Sequence, residues 1–152
     1  MKVKKEIKNR NGFKYLTEYD ENGNEIHYKN SSGYEEWVEY DDNGNIVHYK
    51  DSNEFESWTD YNINGFIIHY KDSHGYEYWK DYDKNNNEIH RKNSDGYERW
   101  YEYDENGNEI HYKDSNGYEY HKEYNDNGDI IYYKDSKGIE ERISYEYFKE
   151  IK

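Results

Sequence analysis

The chain repeats itself every 21 residues, and this period restricts its fold more than any other feature. A tyrosine recurs at that spacing at Tyr19, Tyr40, Tyr61, Tyr82, Tyr103, Tyr124 and Tyr145. In the same register, tryptophan recurs at Trp37, Trp58, Trp79 and Trp100, and histidine at His27, His48, His69, His90 and His111. Seven copies, the last incomplete, account for nearly the whole sequence. Such a period predicts one supersecondary unit per copy, stacked on its neighbours.

Two turn signals in each copy predict that the unit is a β-hairpin. Asn-Gly, as at Asn43-Gly44, favours a two-residue turn in which both residues have positive φ. Asp-Ser-x-Gly, as at residues 114–117, favours a type I turn followed by a left-handed glycine in a bulge. Glu54 takes the place of that glycine in one copy, so we expect its turn to be the most strained.

The runs between these turns have the usual length of β-strands, and tyrosine, tryptophan and isoleucine are common strand residues. The predicted fold class is therefore all-β. We expect an antiparallel β-meander of tandem hairpins, with about 13–14 short strands that form a curled single-layer or superhelical repeat sheet.

The alternation of side chains along a strand predicts the register and two unlike faces. A two-residue turn at 43–44 sets Tyr40 opposite Val47, and the next turn sets Lys50 opposite Glu56. Between them the register pairs Glu39 with His48, Val38 with Tyr49, and Trp37 with Lys50. One face then collects Tyr34, Val38, Tyr40, Val47 and Tyr49, and the other collects Glu35, Trp37, Glu39, His48 and Lys50. On the second face we expect Trp–Lys cation–π contacts and pairs of Glu with His or Lys.

The composition excludes several classes of protein. The 152 residues carry a net charge of −14, and they include 22 Tyr but no Pro, Cys or Ala. Without cysteine there is no disulfide, no thiol catalysis and no thiolate metal site. The longest apolar run is about three residues, at 66–68, and no apolar segment follows the basic N-terminus. We therefore expect a cytoplasmic protein without a signal peptide or membrane association.

The repeats leave no room for a second domain, so we expect a single β-repeat domain over residues 1–152. Within it, residues 1–11 form a basic N-terminal edge strand whose charges discourage the addition of another strand. Residues 12–137 are the regular repeats, and residues 138–152 are a divergent C-terminal cap. Edge-to-edge association of two chains stays open as an alternative.

The segment Tyr40-Asp41-Asp42-Asn43-Gly44-Asn45 and its equivalents, followed about ten residues later by glycine, resemble the YD (RHS-type) repeat family. The resemblance covers residues 12–146. It implies β-hairpin units that wind into a long sheet, which in large toxins forms a shell around a cargo. This chain is short, has no recognisable toxin or core-associated segment, and carries Trp and His where the family varies. We therefore take the architecture from the resemblance and not the role in a shell.

The sequence predicts no catalytic, cofactor or metal site. Equivalent histidines lie two strands apart, or about 9–10 Å, whereas one zinc ion needs nitrogen atoms about 3–4 Å from each other. His74 and His121 fall outside the histidine row and are interpreted as incidental surface residues. Serine recurs only in turns, where its hydroxyl favours local hydrogen bonds. Near-identical repeats also give near-identical surroundings, whereas acid–base catalysis needs groups with different pKa values.

The acidic charge leads to the functional prediction. Negative charge repels nucleic acid directly and attracts basic surfaces. We expect a non-enzymatic protein that docks on a basic protein, such as a nuclease or toxin, and inhibits it in the manner of an anti-nuclease, anti-CRISPR or immunity protein. The predicted contact residues are Glu35, Trp37, Glu39, Glu56, Trp58, Glu77, Trp79, Asp81, Glu98, Trp100, Glu102 and Glu119.

Two alternative functions are consistent with the same sequence. The tryptophan and tyrosine rows could bind carbohydrate or a cell surface, since the aromatic hairpins are loosely similar to choline- or glucan-binding repeats. The array could also be a structural spacer or a fragment of a toxin shell without a specific ligand.

Overall fold

The computed structural model describes residues 4–10 and 13–143, which form fourteen β-strands and no helix. The strands are β1 (Lys4–Arg10), β2 (Phe13–Tyr19), β3 (Glu25–Asn30), β4 (Glu35–Tyr40), β5 (Ile46–Asp51), β6 (Glu56–Tyr61), β7 (Ile67–Asp72), β8 (Glu77–Tyr82), β9 (Glu88–Asn93), β10 (Glu98–Tyr103), β11 (Glu109–Asp114), β12 (Glu119–Tyr124), β13 (Ile130–Asp135) and β14 (Glu140–Arg142). Each copy of the repeat supplies two strands, as the turn signals predict.

Strand order follows chain order from β1 to β14, and the paired strands are antiparallel. The prediction of an all-β meander of tandem hairpins is therefore confirmed. The chain divides into two compact units, of which the first ends at Trp79 and the second begins at Lys80. The predicted curl of the sheet stays a prediction.

The Asn-Gly turns differ from the predicted two-residue type. In the turn after β4, the Asp41 amide donates to the Asn45 carbonyl (2.9 Å) and the Gly44 amide donates to the Asp41 carbonyl (3.1 Å). Gly44 has φ 84°, but among the described residues only Glu54 and Asn86 combine a side chain with positive φ, so Asn43 is not left-handed. The prediction of positive φ at both residues was wrong: three residues form a type I turn closed by a left-handed glycine.

The carboxylate of Asp41 selects this turn. Its Oδ1 accepts hydrogen bonds from the amides of Asn43 and Asn45, both at 2.9 Å. Its Oδ2 accepts a further bond from the side-chain amide of Asn45 at 3.0 Å. An aspartate that bonds to the backbone two and four residues later mimics a backbone turn, so the aspartate decides the geometry as much as Asn-Gly does.

The longer turn also changes the register at the strand end. Tyr40 pairs with Ile46 instead of Val47, so that prediction was wrong. A bulge next to this pair then restores the predicted pairs Glu39–His48, Val38–Tyr49 and Trp37–Lys50. One extra residue in the turn is thus compensated by one extra residue in the strand, and the faces remain as predicted.

The Asp-Ser-x-Gly turns have the predicted geometry. In the turn after β5, the Glu54 amide donates to the Asp51 carbonyl (3.3 Å), and Lys50 lies opposite Glu56 as predicted. Glu54 has φ 69°, the left-handed conformation that a side chain disfavours by about 1–2 kcal/mol. Asn86 holds the same conformation in the second unit, at φ 67°.

The recurring serine at Ser31, Ser52, Ser73, Ser115 and Ser136 bonds to the preceding hairpin rather than locally. The Ser52 amide donates to the Glu35 carbonyl (2.8 Å), and the Glu35 amide donates to the Ser52 hydroxyl (3.0 Å). The same pair of bonds joins Ser73 to Glu56 in the first unit and Ser136 to Glu119 in the second. The serine therefore extends the strand ladder past the turn, which corrects the prediction of local bonds.

The described residues have no buried apolar side chain. The buried side chains among them are polar: Thr17, Ser57, Thr59, Asp114 and Asp135. The tyrosine face, which carries Tyr34, Val38, Tyr40 and Tyr49, is therefore held by contacts between neighbouring strands. The hydroxyls of Tyr34 and Tyr49 lie 2.9 Å apart, and the Tyr40 hydroxyl donates to the Glu25 carbonyl (3.0 Å).

The tyrosine that recurs every 21 residues forms this last type of bond in several copies. Its hydroxyl reaches a backbone carbonyl on the adjacent strand, 15 residues earlier, in both units. The bonds are Tyr40 to Glu25, Tyr61 to Ile46, Tyr103 to Glu88 and Tyr124 to Glu109. Phenylalanine at these positions would leave the carbonyl without this partner.

The ends of the chain are only partly described. β1 pairs with β2 over seven residue pairs, and Lys5 forms an ion pair with Glu18. The short β14 pairs with β13, while residues 144–152 of the predicted C-terminal cap lie outside the described residues. Over the part of the chain that is described, no helix has the length and apolar character needed to cross a membrane.

We predict that Glu54→Gly stabilises the protein by about 1 kcal/mol, because glycine removes the cost of positive φ at this position. The shift in the midpoint of urea denaturation measures this change. Glu21→Gly is the matched control, since Glu21 is an exposed turn residue without positive φ, where glycine only adds freedom to the unfolded chain. A lower midpoint for Glu54→Gly than for the wild type would contradict the prediction.

Candidate functional site

Opposite the tyrosine face lies the histidine face, which carries the recurring His, Trp and Glu residues. Each tryptophan lies directly across from a histidine on the preceding strand, as Trp58 does from His48. The rings of this pair are parallel within 12°, with centroids 5.4 Å apart. The same stack joins His27 to Trp37, His69 to Trp79 and, in the second unit, His90 to Trp100. Although Trp37 does lie opposite Lys50, its ring packs on His27 instead of the predicted lysine.

Each stacked histidine is also held between two carboxylates. The Nδ1 of His48 lies 3.3 Å from Glu39, and its Nε2 lies 2.9 Å from Glu56. The predicted Glu39–His48 pair is thus confirmed, and the second carboxylate was not predicted. The same arrangement surrounds His69 (Asp60 and Glu77), His90 (Asp81 and Glu98) and His111 (Glu102 and Glu119).

The inner carboxylates of the histidine face are Glu35, Glu56, Glu77, Glu98 and Glu119, which contact the histidine Nε2 atoms. Glu35 also accepts a bond from Lys29 (2.9 Å), and Glu98 accepts one from Lys92 (3.0 Å). The Lys29 bond, followed by the His27 contact, lowers the pKa of Glu35. Lys92 and His90 lower the pKa of Glu98 in the same way. Lysine contacts therefore offset the charge of Glu35 and Glu98 within this row.

The outer carboxylates are Glu39, Asp60, Asp81 and Glu102, which contact the histidine Nδ1 atoms. Their side chains are 68–71% exposed, compared with 21% for Glu35. Asp60 was missed by the sequence prediction, although its distance of 21 residues from both Glu39 and Asp81 could have identified it. The outer carboxylates are thus more exposed than the inner ones, of which Glu119 is 42% exposed.

All twelve predicted contact residues lie on the histidine face of their own unit. In the first unit these are Glu35, Trp37, Glu39, Glu56, Trp58, Glu77 and Trp79. In the second unit they are Asp81, Glu98, Trp100, Glu102 and Glu119. The four tryptophans are 37–41% exposed, so each keeps one edge accessible while its ring packs on histidine. Contact with a partner stays a prediction for the whole set.

One position departs from the pattern. His121 occupies the place of tryptophan opposite His111, and Glu119 lies beside both rings. Their ligand atoms all lie within 4.8 Å of one another, which makes them a candidate metal-binding group. His121 does lie at the surface, but its ring stacks on that of His111, so it belongs to the series of cross-strand histidine–tryptophan stacks, here called the histidine–tryptophan ladder.

Comparisons with known proteins identify the fold but not a family. No family model matches the sequence, and no curated protein matches it. Among solved structures, the chain is similar to TcdB2-TccC3-TEV (TM-score 0.62, 18% identity) and to TcdB2-TccC3 (TM-score 0.61, 17% identity), with 80% of this chain and 7% of theirs covered. The Tc holotoxin pore of Photorhabdus luminescens is similar at TM-score 0.51 and 14% identity, with 82% of this chain and 9% of that chain covered. The chain thus spans less than a tenth of the length of these neighbours and shares their tandem strand fold.

Acid is expected to destabilise the protein through the inner carboxylates. The pKa values of Glu35, Glu98 and Glu119 are lower in the folded chain than the usual carboxyl value of 4.5. Their contribution to stability is therefore fully present above pH 4.5 and is lost as the pH falls through the folded values. We predict that the urea midpoint falls as the pH drops below 4.5 and towards the lowered pKa values of the folded chain.

Replacing these three glutamates by glutamine should make that fall shallower, since glutamine does not titrate. The matched control replaces the exposed Glu21, Glu105 and Glu141 by glutamine. Equal slopes for the two triple variants would show that the inner carboxylates do not carry the acid dependence.

Proposed function

We propose that this protein is a non-enzymatic interaction protein whose histidine face docks on a basic protein surface. The observation that carries the proposal is the division of its carboxylates into two rows. The inner row is occupied by His and Lys contacts, whereas the outer row is 68–71% exposed beside accessible tryptophan edges.

Charge complementarity selects the kind of partner. The chain carries a net charge of −14, so a cationic surface is attracted and a polyanion is repelled. Each exposed ion pair contributes only about 0.2–1 kcal/mol, but a regular row adds several of them and speeds association. Tryptophan is common among the residues that dominate binding energies, and here it lies next to the acidic row.

The conformation of this surface is largely fixed before binding. Each outer carboxylate is tied to a histidine ring at 3.1–3.3 Å, and each tryptophan is stacked on a histidine. Side chains that are already ordered lose less conformational entropy on binding, which favours affinity.

Proteins that handle nucleic acids carry the matching surface, because they bind phosphates with Lys and Arg. The exposed outer carboxylates of each unit would compete with phosphates for such a groove. We therefore propose a nuclease or toxin as the partner and inhibition as the outcome, in the manner of an anti-nuclease, anti-CRISPR or immunity protein.

A second candidate function is a segment of a toxin shell. The similarity to the TcdB2-TccC3 structures favours it, together with the YD-type motifs of the sequence. In that case the array of hairpins would form part of the shell and would not bind a separate partner protein. Binding to carbohydrate through the tryptophan edges is the third possibility, and Trp fluorescence titrated with cell-wall glycans tests it.

The proposal is tested with a partner obtained by affinity capture from the source cells, whose binding is then measured at several NaCl concentrations. The face variant converts Glu39, Asp60, Asp81 and Glu102 to their amides, which removes four charges and keeps hydrogen-bonding groups. The control variant removes four charges from exposed turn residues by converting Glu21, Asp42, Glu105 and Asp126 to their amides.

We predict that the face variant loses at least about 1 kcal/mol of binding free energy, or about fivefold in Kd, and becomes less sensitive to salt. The control variant should lose less on both measures. Wild-type affinity in the face variant, or equal losses in the two variants, would contradict docking through this face.

A further inference from the structure

One copy of the repeat carries histidine instead of tryptophan in the histidine–tryptophan ladder. At the position of Trp37, Trp58, Trp79 and Trp100, the next copy carries His121. His121 is the direct cross-strand partner of His111, and the two rings are parallel within 5° at 4.2 Å between centroids. Two imidazoles thus replace the imidazole–indole pair of the other copies. Indole offers no metal ligand, whereas imidazole does.

A carboxylate completes the group. The Oε1 atom of Glu119 lies 2.8 Å from the Nε2 of His111 and 3.6 Å from the Nε2 of His121. Across residues 4–10 and 13–143, no other three His, Asp or Glu side chains bring their ligand atoms so close together.

We propose that His111, Glu119 and His121 bind one divalent transition-metal ion of the zinc class. Two imidazole nitrogens and a carboxylate oxygen are ligands that zinc accepts, and a fourth position stays open for water. This inference is independent of the docking proposal, since it depends on the departure from the repeat and not on the outer acidic row.

The surroundings of His111 favour this role. Its Nδ1 lies 3.2 Å from Glu102, so a hydrogen bond to this carboxylate fixes the ring and presents Nε2 to the ion. Metal-binding histidines typically have such a partner on their other nitrogen.

Binding requires a small local change. Ligand nitrogens lie about 2.0–2.1 Å from zinc, so the parallel rings must tilt until both Nε2 atoms point at one ion. The side chains of His121 and Glu119 are 55% and 42% exposed and therefore have room to move.

Two lysines lie close to the group. Lys113 is the cross-strand partner of Glu119, and Lys134 is that of His121. Lys134 forms an ion pair with Glu140 at 3.0 Å, which offsets part of its charge. The remaining positive charge lowers the affinity for a cation, so we expect binding weaker than in buried structural zinc sites.

Calorimetric titration of the untagged chain with ZnCl2 tests the proposal. We expect one ion per chain and shifts of the His111 and His121 ring signals in NMR spectra, without competition from Mg2+. His121→Trp restores the residue of the other copies and should weaken binding at least about tenfold, with the strand signal in circular dichroism unchanged. Zinc that binds His121→Trp as tightly as the wild type would overturn the proposal.

The reverse substitution provides a gain-of-function test. Trp100→His places a second imidazole opposite His90 and beside Glu98. Asp81 already lies 3.1 Å from the Nδ1 of His90, in the same place that Glu102 takes beside His111. We expect this variant to bind two zinc ions per chain. A folded Trp100→His chain that binds only one ion would contradict the claim that this juxtaposition of side chains suffices.

Discussion

Pairing between adjacent strands is the interaction on which the whole structure depends. The described residues have no buried apolar core, so stability must come from contacts between each strand and its neighbours. These contacts are the backbone ladder, the serine bonds beyond the turns, the tyrosine hydroxyls on backbone carbonyls and the histidine–tryptophan stacks. Each contributes about 1 kcal/mol or less, and the strict period repeats them at every hairpin. The repeat is therefore the means by which weak contacts accumulate.

The same ladder determines what the surface can bind. From His48 to His111, each histidine of the row contacts an inner carboxylate at Nε2 and an outer carboxylate at Nδ1, both from neighbouring strands. The inner carboxylates, such as Glu56, are occupied within the fold, while the outer ones, such as Glu39, remain exposed at 71%. An exposed acidic surface thus follows from the way the strands are held together. At one position of this ladder His121 replaces tryptophan, and there we propose a different kind of site, for a metal ion.

Most of the fold could be predicted from the sequence, because the turn motifs and the alternation of side chains along each strand depend on local backbone geometry. The strands, the two faces and the Lys50–Glu56 pair were predicted correctly. The Asn-Gly turn was predicted wrongly, because the bonds from Asp41 to the backbone outweigh the preference of Asn-Gly for a two-residue turn. The alternation of side chains along a strand predicts which face a residue lies on, but not which side chain on that face it contacts. It therefore could not show that Trp37 stacks on His27 rather than on Lys50. The stacking of His121 on His111 was missed for the same reason.

Deletion of one period tests the central claim most directly. Removing residues 41–61 takes out one full copy and joins Tyr40 to Asn62, whereas removing residues 41–60 shifts the register by one residue and reverses the faces. If neighbouring strand pairs carry the stability, the first deletion keeps the β-sheet signal in circular dichroism with a modestly lower urea midpoint. The second deletion should lose much of that signal. Unfolding of the 21-residue deletion, or equal behaviour of both deletions, would contradict this account.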